Sequence, residues 1–200
     1  MHWIEDAPAP PALAVPPGEL WIFGYGSLMW NPGFPYDAVE PATVRDWHRA
    51  FCIHSAGHRG TPEWPGLVVA LAPGGECRGL AFRVEARHKG SALAYLWERE
   101  MALAEGYRPH RLAAAFDDNR RLEALTFVAD PAHEAYAGEL PLATAARQIA
   151  AARGARGSNR DYLRRTLEQL DRLGIRDAAL SALDEAVGAI PGLDAIVPLG

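Results

Sequence analysis

Cysteine is scarce in this chain: Cys52 and Cys77 are the only two among 200 residues. Two thiols cannot build a disulfide framework or a cysteine-rich zinc site, and neither stands in a His-containing motif. They read as buried free thiols in a reducing compartment. No apolar run approaches the roughly 20 residues needed to cross a bilayer. The N-terminus lacks the basic segment and apolar stretch of a signal peptide. The expectation is a soluble, cytoplasmic protein with no membrane partner. A block of Lys and Arg is missing too. The net charge of −5, from 20 basic and 25 acidic residues, argues against nucleic acid as the main partner. No His/Cys cluster has metal-ligand spacing, so no metal site is expected.

What is present suits one domain with a substantial core. Residues 1–18 carry Pro8, Pro10, Pro11, Pro16 and Pro17 and read as an extended arm. Residues 19–190 read as the domain, without internal repeat or linker, and 191–200 as a tail. Trp21-Ile22-Phe23 is a run of β-formers that predicts a buried strand ending near Phe23. Ala42–Ile53 alternates as a strand. Gly66–Leu71 and Arg78–Val84 read as paired strands joined by the turn Pro73-Gly74-Gly75-Glu76. Lys89–Glu105 is the first helix. Arg108–Ala115 and Leu122–Ala129 form a second strand pair around Asp117-Asp118-Asn119. Helices then follow at Leu142–Ala152, Asn159–Leu173 and Asp177–Val187. The second of these carries Leu163, Leu167, Leu170 and Leu173 on one face and ends at Gly174. Strands first and helices mostly later predict an α+β domain.

Two places carry chemistry. The first follows the opening strand, where Gly24-Tyr25-Gly26-Ser27-Leu28 breaks into glycines and a hydroxyl. Such a break tends to present several backbone N–H groups in one direction, a concavity that suits a carboxylate. An ordinary tight turn is the plainer reading of two glycines and a serine. The second is Glu100. Leu93, Leu96 and Leu103 mark the inward seam of its helix, and steps of four and three residues put Glu100 on that seam. Glu98 and Arg99 fall away from it. A carboxylate on a core-facing stripe needs partners or a task. Burial would raise its pKa and make it a better proton acceptor near neutrality; a purely structural ion pair is the competing reading.

The string Phe23-Gly-Tyr-Gly-Ser-Leu-Met-Trp30 resembles the substrate loop of the ChaC-type gamma-glutamylcyclotransferases. Further segments resemble that family: His58–Glu63 with Pro65-Gly66-Leu67-Val68, Arg99-Glu100-Met101 followed by Gly106-Tyr107, Gly157-Ser158-Asn159 with Asp161-Tyr162-Leu163, and Gly174-Ile175 with Asp177. The resemblance runs from about residue 20 to about residue 185. It implies a small mixed β-barrel, or roll, with helices around it. It also implies an enzyme that cleaves glutathione to 5-oxoproline and cysteinylglycine, a reaction that needs no water, metal or cofactor. In that implied chemistry Glu100 is the general base, and the backbone of Tyr25, Gly26, Ser27 and Leu28 holds the substrate α-carboxylate. A cyclotransferase for another γ-glutamyl compound, or a non-catalytic carboxylate-binding module on the same fold, are the alternatives.

Overall fold

The computed structural model describes residues 17–102 and 106–191. The Pro-rich arm up to residue 16, the helix end including Leu103 and Glu105, and the tail from residue 192 lie outside the described residues. Five strands close into a barrel: β1 (Leu20–Gly24), β2 (Ala38–Ser55), β3 (Gly66–Val84), β4 (Tyr107–Phe116) and β5 (Arg121–Ala129). Their order is β1-β3-β2-β4-β5, antiparallel throughout except where β5 meets β1 in parallel, Ile22 opposite Leu125. Closure pairs each strand on both sides along part of its length, and the β2–β3 arms beyond the closed section extend past it. Four helices follow the mixed order expected of an α+β fold: α1 (Lys89–Trp97), α2 (Leu142–Ala151), α3 (Asn159–Arg172) and α4 (Ala178–Gly188). Between α2 and α3 sits a two-residue ribbon, β6 (Arg153–Gly154) with β7 (Gly157–Ser158), which the sequence pattern does not signal.

β1 is buried along its whole length. Its odd residues Trp21 and Phe23, with Tyr25 beyond, pack with Val44, Phe51 and Leu71 and with the helix residues Ile149, Leu163 and Leu183. Its even residues Leu20 and Ile22 pack instead with Phe82, Leu125 and Leu96 of α1. Burial on both faces explains why the strand reads as a continuous apolar run rather than an alternating one. Each such fully buried Ile or Phe contributes roughly 1.5–3 kcal/mol.

Two expectations are corrected. Pro73-Gly74-Gly75-Glu76 does not join two paired strands. β3 runs straight through it, pairing with β2 from Arg83 opposite Ala38 to Gly66 opposite Ser55. The register slips between Arg45 and Trp47, where Asp46, Gly74 and Gly75 all have positive φ. The two glycines thus form a bulge that bends both long strands at one level. Gly24 lies opposite Leu80 of β3, while Gly26 meets Val69 of the same strand beyond the bend. The second correction concerns Lys89–Glu105. It is α-helical only to Trp97 and then widens into a π-helical turn over Glu98–Ala102.

The helix ends follow their sequence signals. Ser158 caps α3 by accepting from Asp161 N at 3.1 Å, and Asp177 caps α4 by accepting from Leu180 N at 3.1 Å, as short polar residues at N-caps do. Gly174, at φ 68°, closes α3 in the left-handed conformation, with Ile175 N donating to Leu170 O. Leu163 and Leu170 are buried there, but Leu173 at the cap is exposed.

Candidate active site

The strand β1 ends at Gly24, and one 3-10 turn, Ser27–Met29, follows. That turn uses the N–H groups of Met29, Trp30 and Asn31 on the carbonyls of Gly26 and Ser27. The N–H groups of Gly26, Ser27 and Leu28 find no acceptor among the described residues, as the first donors of a helical turn must. Leu28 and Met29 are buried and fix the turn to the core. A side chain at Gly26 would start 3.0 Å from Val69 Cγ1, so glycine is what lets β3 approach here.

A buried cation locks this loop from behind. Arg49 lies on the face of β2 that carries Trp47 and Phe51, and it is 4 % exposed. Its Nε donates to Tyr25 O at 2.6 Å and its Nη2 to Arg78 O at 2.7 Å. Its Nη1 pairs with Asp177 Oδ2 at 2.8 Å. Sequence reasoning missed Arg49; the available signal was a charge between Trp47 and Phe51 on an alternating strand.

Glu100 enters from the π-helical turn. The carboxylate is mostly buried and pairs with Arg99 Nε at 3.1 Å. Burial raises its pKa above the ordinary carboxyl range, and Arg99 pulls it back only in part. Arg99 does not fall away from the site, contrary to the α-helical phase. Its guanidinium donates to Ser27 Oγ at 2.7 Å, to Asn31 O at 2.6 Å and to Tyr95 Oη at 3.0 Å. The π turn has more residues per turn than an α-helix, which changes the direction of the side chains from Glu98 to Glu100 and brings Arg99 to the loop. π turns of this kind are frequent at functional sites. Glu98 lies on the outer cleft and is exposed.

Tyr25, Gly26, Ser27, Leu28 and Glu100, the expected site residues, therefore line one inner recess of about 60 Å³. Val69, Tyr107, Phe127 and Tyr162 complete it. The recess shares Ser27, Glu100, Tyr107 and Tyr162 with an outer cleft of about 720 Å³. That cleft has the size of small-molecule sites. Its rim carries Arg59, Arg99 and Arg156 with His54 and His58.

The loop that resembles the family around His58–Glu63 forms part of this rim. The ribbon β6–β7 clamps it: Ala155 N donates to Gly57 O and Arg156 N to His58 O, both at 2.9 Å. Asn159, fully buried, completes the start of β3 like an extra strand. It accepts from Leu67 N at 2.6 Å and donates to Leu67 O at 2.8 Å. Cys52 and Cys77 are buried free thiols, pushed by burial up to about 12 and about 11, which suits inert core residues.

The ChaC-like protein family model matches residues 20–190. The glutathione-specific gamma-glutamylcyclotransferase of Escherichia coli is 39 % identical over 166 residues, 83 % of this chain and 71 % of that protein. The Homo sapiens glutathione-specific gamma-glutamylcyclotransferase 1 is 38 % identical over 180 residues, 87 % of this chain and 81 % of that one. A crystal structure of a glutathione-specific cyclotransferase from yeast superposes with a TM-score of 0.76 at 24 % identity. It covers 86 % of this chain and 96 % of its own, and supports the barrel-and-helix fold. The family match takes in every residue of the recess, and on it the chain belongs to the ChaC-like family.

Proposed function

We propose that this protein is a glutathione-directed gamma-glutamylcyclotransferase, releasing 5-oxoproline and cysteinylglycine. The relatives' names support the substrate. The observation that carries the reading is a buried, upshifted Glu100 sharing one recess with three unpaired backbone N–H groups. In this reading those N–H groups of Gly26, Ser27 and Leu28 receive the α-carboxylate of the γ-glutamyl unit. The Ser27 hydroxyl, whose oxygen is already taken by Arg99, keeps its proton free to donate beside them.

A peptide α-amine titrates near pH 8, so it is mostly protonated at neutrality. Glu100 removes that proton, and the free amine attacks the γ-carbonyl of its own residue. A five-membered lactam forms as the ring nitrogen sheds its second proton, the bond to the cysteine nitrogen breaks, and Glu100 returns the proton it took to the leaving amine, which ends protonated in solution. Because the reaction is intramolecular, most of the advantage comes from holding the amine against the carbonyl. The cationic rim of Arg59, Arg99 and Arg156 suits the terminal carboxylate of the Cys-Gly half.

The test is incubation of the purified protein with glutathione and detection of 5-oxoproline. Equal release of 5-oxoproline and cysteinylglycine is expected. Binding of glutathione with no 5-oxoproline would instead favour a carboxylate-binding module on the same fold.

A further inference from the structure

Lactam closure puts negative charge on the γ-carbonyl oxygen, and a hydrogen-bond donor aimed at that oxygen stabilises the charge as it develops. Three tyrosines line the recess beside Glu100: Tyr25, Tyr107 and Tyr162. Tyr25 spends its proton on Phe127 O at 2.7 Å, and Tyr107 spends its own on Val69 O at 2.8 Å. Among the described residues no acceptor takes the proton of Tyr162. Its ring is nevertheless fixed. The Arg59 guanidinium lies 4.6 Å from the ring centroid, and Phe51 meets its edge at 5.5 Å. Its position on the first turns of α3 is set by the Ser158 cap and by Asn159 locked onto Leu67.

We propose that the Tyr162 hydroxyl is the donor that stabilises the oxyanion on the γ-carbonyl as the lactam closes. This rests on the cyclotransferase reading above. The phenol donates a hydrogen bond and keeps its proton. The new bond joins the α-nitrogen to the γ-carbon, that nitrogen gives up its second proton, the oxyanion collapses, and the cysteine nitrogen leaves with the proton that Glu100 carried. Burial raises the Tyr162 pKa, so the hydroxyl stays protonated at neutral pH. A hydrogen bond from the Val69 backbone N–H and, to a lesser degree, the Arg59 guanidinium oppose that rise, which makes the phenol a stronger donor than burial alone would. The geometry divides the labour: loop amides for the α-carboxylate, Glu100 for the proton, Tyr162 for the oxygen.

Tyr162→Phe keeps the ring against Phe51 and Arg59 and removes only the donor. The loss expected in kcat is roughly 10²–10³-fold, with KM and melting temperature close to wild type. Tyr107→Phe, by contrast, removes the hydroxyl that donates to Val69 O and should lower the melting temperature, which Tyr162→Phe should not. Replacing Tyr162 with 3-fluorotyrosine keeps the contacts and makes the phenol more acidic; kcat should rise, and an unchanged or lower kcat would overturn the role. Normal kcat in folded Tyr162→Phe, or a loss confined to KM, would overturn it as well. If the wild-type protein released no 5-oxoproline, the cyclotransferase reading itself would fall. If wild type is active and Glu100→Gln is not, a normal Tyr162→Phe removes this inference alone.

Discussion

Arg49 and Glu100 are both charged side chains held out of water on apolar faces, and the molecule treats them in opposite ways. Arg49 is surrounded by fixed acceptors: two carbonyls and the Asp177 carboxylate, all within 2.8 Å. Among the described residues Glu100 has one partner, Arg99, and it otherwise faces a recess. Its burial is only partly compensated and its pKa stays raised. A buried charge with its hydrogen bonds satisfied is a structural part. One held short of partners beside a cavity is poised to exchange a proton. On the proposed reading, the comparison separates a clamp from a base within one site.

The clamp is the first half to break. Arg49→Met removes one member of a buried pair and strands Asp177. Stability should fall by roughly 3–5 kcal/mol, read by chemical denaturation, with the surviving folded fraction losing affinity because Tyr25 O is no longer held. Unchanged stability would mean that the pair is not the lock described. Gly26→Val acts on the loop the clamp holds. The new side chain meets Val69 at 3.0 Å before its methyls are added, and kcat/KM should drop by up to about 100-fold in a folded protein.

Arg99 sharpens the comparison, since it is Glu100's one partner. Arg99→Gln loses the charged hydrogen bond to Ser27 and should raise KM by roughly tenfold. Glu100 then rises further, so the acid limb of kcat/KM moves to higher pH. An unmoved limb would show that Arg99 does not tune the carboxylate. The smallest effect is on stability. The unfolded chain releases the Glu100 proton near 4.5, and the folded protein releases it at higher pH. Between the two the folded state binds more protons, so unfolding free energy falls as pH rises. Asp117 and Asp118, held low by Arg78 and Arg120, push the other way. Wild type minus Glu100→Gln isolates the carboxylate, and that difference should decline from pH 4.5 upward.

The elements that sequence made legible are the local ones. The five-residue β1, the pair β4–β5 and the capped helices follow from periodicity and terminal residues within each segment. The loop wall of the site is likewise contiguous, Tyr25 to Leu28. The opposite wall was not legible, because Val69, Tyr107, Phe127 and Tyr162 come from four separate elements. The barrel itself came only from the family resemblance, as closure depends on pairing between distant strands. Pro73–Glu76 misled because glycines with positive φ serve a bulge as well as a hairpin turn. Arg99 was lost because an α-helical phase was carried through residues that form a π turn. Asn159 stood inside a motif that resembles the family, yet its pairing with Leu67 spans the fold and leaves no local trace.

The central claim is that Glu100 is a base and not a buried structural carboxylate. Glu100→Gln tests it most directly, with 5-oxoproline release, glutathione binding and melting temperature measured on one preparation beside Glu98→Gln. A fall in kcat of roughly 10²–10⁴-fold, with binding and melting temperature retained and Glu98→Gln near wild type, is the expected result. Turnover per folded molecule close to wild type in Glu100→Gln, with a lowered melting temperature, would contradict it.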